Sequence, residues 1–440
     1  MKTLVLHARA TRILLSLPIL MMLAGSPMAA NELTKWNELA TRLGFDLNPL
    51  FQSRILAMTH TAMHDAVNAI DRRYEPYSLR IPVTLVASPE AAAATAAYRV
   101  LLDQFNQQTA IFGFPSQQVE LNAAYAASLG SILDGSAKNL GIGIGQAAAA
   151  VILSLRASDG AYLLPVVDPN YPQATVPGQW RFTPGAPFAF EPKWGSVPPF
   201  VLDYSSKFRP NPPYPINSKR YTDDYNEVKA LGSDGISAPS ARTPDQTQIA
   251  LFWLESSPVG WNRIARTVSA TAGLNLWQSA RLFALLNLAM ADGYIASWDA
   301  KYKYNFWRPV TAIREGDADG NSETIGNPAW TPLDPTPPIP DHDSGHSVEG
   351  GAAAEALTKF FGSSRFTFQT CSTSVLPTAL RCNGSSPVYR SFTSFSQAEL
   401  ENGLSRIYVG YHFRNAVIEG IEHGRKIADT AFQHFLRPAH

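Results

Sequence analysis

Three stretches in the second half of the chain concentrate residues able to hold and transform an anion. The first, "DAKYKYNFWRPVTAIRE" (299–315), places Lys301 and Arg308 seven residues apart. On a continuous helix that spacing is nearly two turns, so both cations would share one face, roughly 10 Å apart along the axis. The second, "PDHDSGHSVEGGAAAEAL" (340–357), packs Asp341, His342, Asp343, Ser344 and His346 ahead of a run of small residues. Pro338 and Pro340 keep the chain extended before that helix, and Asp343 or Ser344 is a natural N-cap. The N–H groups of such a helix end point at any bound anion. Gly345 leaves room for close approach to the backbone, and His346 stands at the rim as a candidate acid or base. The third stretch, "ENGLSRIYVGYHFRNAVIEG" (401–420), carries Arg406 and His412 six residues apart. One continuous helix would send them to different faces. Gly410 allows a break between them and a turn that brings both to one pocket.

Other chemistries compete for these residues. His342 and His346 have the four-residue spacing of helical zinc ligands, but the prolines put His342 ahead of the helix. His60 and His64, beside Asp65, repeat the spacing and read as satisfied polar residues between helices. "DADGNSE" (317–323) resembles a calcium loop but lacks the sixth-position glycine and the twelfth-position acid, so it reads as a linker. Lys301, Arg308 and Arg406 together suit a dianion or trianion such as phosphate or vanadate, because guanidinium groups match oxyanions by paired hydrogen bonds. A Ser-His hydrolase needs no such set of cations, and G-x-S-x-G is absent.

The elements that must position these groups are helical. Apolar residues recur at three- and four-residue steps over 48–74, 88–105, 115–133 and 141–158, and again near 217–231, 243–254, 275–306, 344–361, 396–408 and 413–436. Residues 164–215 differ. They are rich in proline and aromatics and read as an irregular connector crossing between two helical halves. An ungapped internal match pairs 53–77 with 280–304, with Arg54/Arg281, Asp65/Asp292 and Tyr77/Tyr304 coinciding. It points to two related, packed helical bundles. The expected organisation is a signal peptide over 1–30, an N-terminal bundle over 31–163, the connector over 164–215 and a C-terminal bundle over 216–440 that carries the site.

The 440 residues have zero formal net charge and only 16% charged residues, which argues against a nucleic-acid partner. The basic start, short apolar core and small residues up to Ala30 read as an export signal. No later segment reads as a membrane span, so the mature chain is expected to be exported, periplasmic or secreted. Cys371 and Cys382, the only cysteines, are then expected to form one disulfide.

Taken in order, Lys301…Arg308-Pro309, Ser344-Gly345-His346 and Ser405-Arg406…His412 resemble the three motif pieces of the vanadium-dependent haloperoxidase and type 2 phosphatidic acid phosphatase superfamily. The segment "ARLFALLNLAMADGYIASWDAKYKYNFWRP" resembles the haloperoxidase branch in particular. The resemblance implies an all-α fold of two packed helical bundles, as in vanadium chloroperoxidase. It implies that Lys301, Arg308, Arg406, Ser344 and Gly345 bind vanadate, that His412 is its axial ligand, and that His346 handles protons. The substrates would be hydrogen peroxide and a halide. The same pocket without vanadate could serve an exported acid phosphatase, with His412 attacking a phosphomonoester, or a degenerate oxyanion-binding protein with little catalysis. Trp298 and Ile339 occupy positions that the resemblance puts near the halide. Three departures stand out, the first being Ile339 itself, where the resemblance implies an aromatic residue or histidine. Asp343 replaces the motif proline, and Ala416 stands where the family has an aspartate that orients the histidine. Asp343 is expected either to cap the helix facing away from the anion or to pair with a pocket cation, and Asp343→Pro to leave the fold intact and strengthen vanadate binding.

Overall fold

In the computed structural model, which describes residues 31–439, several helices begin where the sequence supplies a polar cap. The expected signal segment, 1–30, lies outside the described residues. Chain order is α1 (Glu32–Leu43), α2 (Pro49–Asn68), α3 (Pro89–Phe112), α4 (Gln118–Gly130), α5 (Ser136–Arg156), α6 (Lys219–Leu231), α7 (Pro244–Phe252), α8 (Ser257–Thr271), α9 (Leu276–Tyr304), α10 (Pro309–Arg314), α11 (Gly345–Phe361), α12 (Phe395–Tyr408) and α13 (Arg414–His434). Asn48 accepts from the Leu50 N–H ahead of Pro49, and Ser88 from the Ala91 N–H ahead of Pro89. Asn275 and Gln278 form a reciprocal capping box that starts α9. The protein is all-α apart from two short antiparallel pairs, β1 (Val167–Asp168) with β2 (Ala189–Phe190) and β3 (Arg365–Thr370) with β4 (Arg390–Ser394). Cys371 and Cys382 are bonded just beyond β3.

Helices α2, α3 and α5 pack on one another, as do α9, α11, α12 and α13. The internally matched helices α2 and α9 lie against each other. Their shared aspartates do the same work. Asp65 accepts the N–H groups of Tyr77, Ser78 and Leu79, and Asp292 those of Phe200, Val201 and Leu202. Each buried carboxylate thus pins a loop by three charge-assisted bonds. α5 is long and apolar enough to cross a membrane by length and composition, and here it packs against α2 and α3.

The crossing of α11 and α13 is the contact that matters most for the site. A Cβ on Gly424 would lie 2.0 Å from the Val348 carbonyl oxygen. No side chain fits there, so glycine lets the two backbones touch. That contact brings the start of α11 beside the start of α13, where the Ser344 N–H donates to the Ala416 carbonyl at 2.9 Å.

Candidate active site

Lys301 and Arg308 reach one cavity by a route different from a shared helix face. α9 ends at Tyr304 because Asn305 takes a left-handed conformation, φ 47°. The chain then pairs with the connector, Trp307 N–H to the Gly178 carbonyl at 3.1 Å, and re-enters a helix at Pro309 with Arg308 as its N-cap. The expected single helix through both cations is therefore corrected. Lys301 projects from the last turn of α9, and Arg308 from the loop that follows it. Arg406 comes from the last turn of α12. Gly410, at φ 87°, breaks the chain there as expected, and the N–H groups of Tyr411 and His412 fold back onto the Arg406 carbonyl.

All three cations are buried, at 0% exposure for Lys301 and 1% for Arg308 and Arg406. Lys301 Nζ donates to the carbonyls of Pro340, Asp341 and Asp343. Arg308 Nε donates to the Ile339 carbonyl at 2.7 Å and Nη1 to the Tyr411 carbonyl at 2.9 Å. Arg406 Nη2 donates to the Trp253 carbonyl at 2.7 Å. Carbonyls orient these groups but bring no negative charge. Burial consequently pushes Lys301 down to about 7 and each arginine down to about 10. Concentrated buried positive charge of this kind is a standing demand for an anion.

The cavity they face has a volume of about 290 Å³. The Ser344 hydroxyl, at the N-cap of α11, is buried without a hydrogen-bond partner and does not cap its own helix. The Gly345 N–H, in the first turn, has no intrahelical acceptor. His346 lies at the cavity with its Nε2 3.2 Å from the Glu255 carbonyl. A carbonyl only accepts, so Nε2 carries the ring proton and Nδ1 is the basic nitrogen. Burial, with Arg406 adding to it, pushes His346 down to about 3, so the ring is neutral near pH 7. His412 is also held well below its usual value, by burial and then by Arg308. Trp298 and Ile339 both line the cavity. Sequence reasoning missed Pro49 and Leu50 of α2, Tyr294 of α9, Phe190 of the connector and Tyr411, which complete an otherwise apolar wall. They carry no motif signal. Only the connector's aromatic density hinted at a cover.

Asp343 matches neither expected role. Its carboxylate accepts from Ser297 Oγ at 2.7 Å and from His423 Nδ1 at 2.7 Å, and all of it is buried. Burial pushes its acidity down, but the His423 hydrogen bond and the charges of His423 and Lys301 outweigh that and hold it below the usual carboxylate range. It anchors the loop from behind, against α9 and α13. His342 Nε2 donates to the Asn211 carbonyl at 2.8 Å, and His342 does not pair with His346. Among the described residues no cluster of His, Cys, Asp and Glu has metal-holding geometry. In 317–323 the carboxylates of Asp317 and Asp319 bind the loop's own N–H and hydroxyl groups. The histidines of α2 are only half satisfied: His60 Nε2 meets Asn37 and His64 Nδ1 meets Asp65, while His60 Nδ1 and His64 Nε2 are buried without partners.

The site fits a tetrahedral oxyanion such as vanadate. It offers three buried cations without ion-paired carboxylates, the first residue of a helix and two histidines at one cavity, and the orphaned Ser344 hydroxyl belongs to the residue just before Gly345. One consequence is a defined pH dependence. Lys301 is charged below about 7 in the empty pocket, so above that value anion binding must take up a proton. Asp341, pushed up to about 7 by burial, ionises over the same range and adds a negative charge nearby. Both effects weaken anion binding as pH rises. Sulfate affinity is expected to fall by up to about tenfold per pH unit above pH 7, measured by calorimetric titration; an affinity that stays flat from pH 6 to pH 9 contradicts it.

Comparison with known proteins bears on the family and the fold. The profile of the VCPO second helical-bundle domain matches residues 281–440. The vanadium chloroperoxidase of Curvularia inaequalis is 23% identical over 83% of this chain and 74% of its own length. A bacterial vanadium-dependent iodoperoxidase structure superposes with a TM-score of 0.74 at 25% identity, over 93% of this chain and 98% of that one. A holo-type bacterial vanadium-dependent chloroperoxidase gives 0.69 at 18% identity over the same shares.

Proposed function

We propose that this protein is a vanadate-dependent haloperoxidase, of the haloperoxidase branch of the vanadium haloperoxidase and type 2 phosphatidic acid phosphatase superfamily. The observation that carries the reading is the meeting of Lys301, Arg308 and Arg406, all buried, around one cavity with Gly345, His346 and His412. Lys301, Arg308 and Arg406 bind the oxyanion's oxygens, with the Ser344 hydroxyl and Gly345 N–H as neutral donors. His412 supplies the nitrogen ligand. Bound vanadate would supply a Lewis-acidic centre that activates hydrogen peroxide toward a halide. His346, neutral with its proton on Nε2, accepts the peroxide proton at Nδ1. The apolar wall of Trp298, Ile339, Phe190 and Leu50 limits water and suits a weakly hydrated halide better than a charged phosphomonoester. Export is part of the same proposal, and the Cys371–Cys382 bond supports it, since such bonds persist in oxidising compartments.

A paired assay tests the proposal. With orthovanadate, hydrogen peroxide and bromide, chloride or iodide, the purified protein is expected to halogenate a dione. Without vanadate it is expected to hydrolyse a phosphomonoester only weakly. Hydrolysis without halogenation at any pH would move the assignment to a phosphatase. Vanadate binding with neither activity would leave an oxyanion-binding protein.

A further inference from the structure

Ala416 removes the carboxylate that the motif's third piece would hold near His412, yet a carboxylate is there. Asp341 Oδ1 lies 2.8 Å from His412 Nδ1, and Asp341 is 1% exposed. The contact is off the line of an ideal hydrogen bond, and neither Asp341 oxygen has a better-aligned side-chain partner. Arg308 Nη1 lies 2.9 Å from the other ring nitrogen, Nε2, closer than its 3.4 Å to Nδ1. A guanidinium only donates, so Nε2 presents its lone pair and Nδ1 carries the proton toward Asp341. Both neighbours therefore select one tautomer, with the unprotonated nitrogen on the side of the cations. Asp341 is also well held. Its N–H donates to the Phe306 carbonyl at 2.9 Å, and its own carbonyl accepts from Lys301 at 3.0 Å.

We propose that Asp341 is the positioning residue for His412, a carboxylate supplied from the loop ahead of α11 in place of the one missing at Ala416. The proposal rests on the vanadate reading above. A carboxylate behind a ligating histidine fixes its tautomer and raises its basicity, and losing it typically weakens ligand binding by about 10–100-fold. The rival role, a counter-charge for three buried cations, makes the opposite forecast. Removing a negative charge beside an anion pocket should tighten every oxyanion.

The test compares two probes, inorganic phosphate and orthovanadate, in binding titrations of the full chain. Asp341→Ala is expected to tighten phosphate, which feels the lost charge alone, and to weaken vanadate by about 10-fold or more, because vanadate also needs the His412 nitrogen. Asp341→Ala combined with Ala416→Asp is expected to recover vanadate affinity. Asp341→Asn, which keeps shape and an acceptor, serves if the alanine variant does not fold, and is expected to separate the two probes in the same direction. Tightening of both oxyanions, or no change in either, overturns the proposal while leaving the functional reading intact. A wild-type protein that holds vanadate no better than phosphate sinks the functional reading, and this inference with it.

Discussion

Replacing His412 with alanine is expected to abolish halide oxidation, a loss on the order of 10³-fold or more, while vanadate still binds with reduced affinity. The split follows from the geometry. Of the three cations that attract the oxyanion only Arg308 touches His412, and all three keep other anchors. Lys301 is held by three carbonyls, Arg406 by Trp253 and Ser405, and Arg308 by Ile339 and Tyr411. Their field survives the substitution. What disappears is the single nitrogen that completes the site. With the ring gone, Arg308 also faces Asp341 across the vacated space, so part of its charge is turned away from the anion. Binding titration alongside peroxidase assay reads both quantities. Unchanged turnover in the variant would remove His412 from the chemistry.

Asp343→Pro, which restores the motif residue, is expected to destabilise the protein by about 3–5 kcal/mol and to weaken vanadate binding. This reverses what the motif alone suggests. His423 is buried with its Nε2 already unpartnered, and its Nδ1 has only the Asp343 carboxylate. Proline would strand both ring nitrogens and the Ser297 hydroxyl in the interior. The carbonyl of residue 343 is also one of the three that hold Lys301, and residue 344 follows directly. A loop that loses its rear anchor loosens the front of the pocket. Urea unfolding of the variant, with vanadate titration, checks both parts. A variant as stable as wild type would show that the Ser297–Asp343–His423 contact carries no net stability. Making room in α13 by pairing Asp343→Pro with His423→Leu is the natural compensating change, since an apolar pair of similar volume can replace a buried polar one.

Much of the site could be read in advance because its chemistry is local. Cation type, the Ser344-Gly345-His346 helix start and the glycine between Arg406 and His412 are properties of short segments, and short segments obey capping and turn rules that act within a few residues. Helix positions followed from apolar periodicity for the same reason. α1, α8 and α10 escaped notice, and so did both strand pairs; β3 with β4 joins residues 20 to 29 apart in sequence. Loops and strands gain their stability from partners that the local pattern does not name.

By itself, then, the sequence determined the helical class, the three groups of candidate anion-binding residues and the disulfide pair. Only the tertiary structure decided how charge is shared among them. It separated Lys301 from Arg308 by a left-handed turn at Asn305, turned Asp343 away from the pocket toward His423, and set Asp341 behind His412. The physical reason is that a buried charge takes its meaning from what surrounds it within a few ångströms. Those neighbours come from α9, α11, α12, α13 and the intervening loops, which meet only when the helices cross.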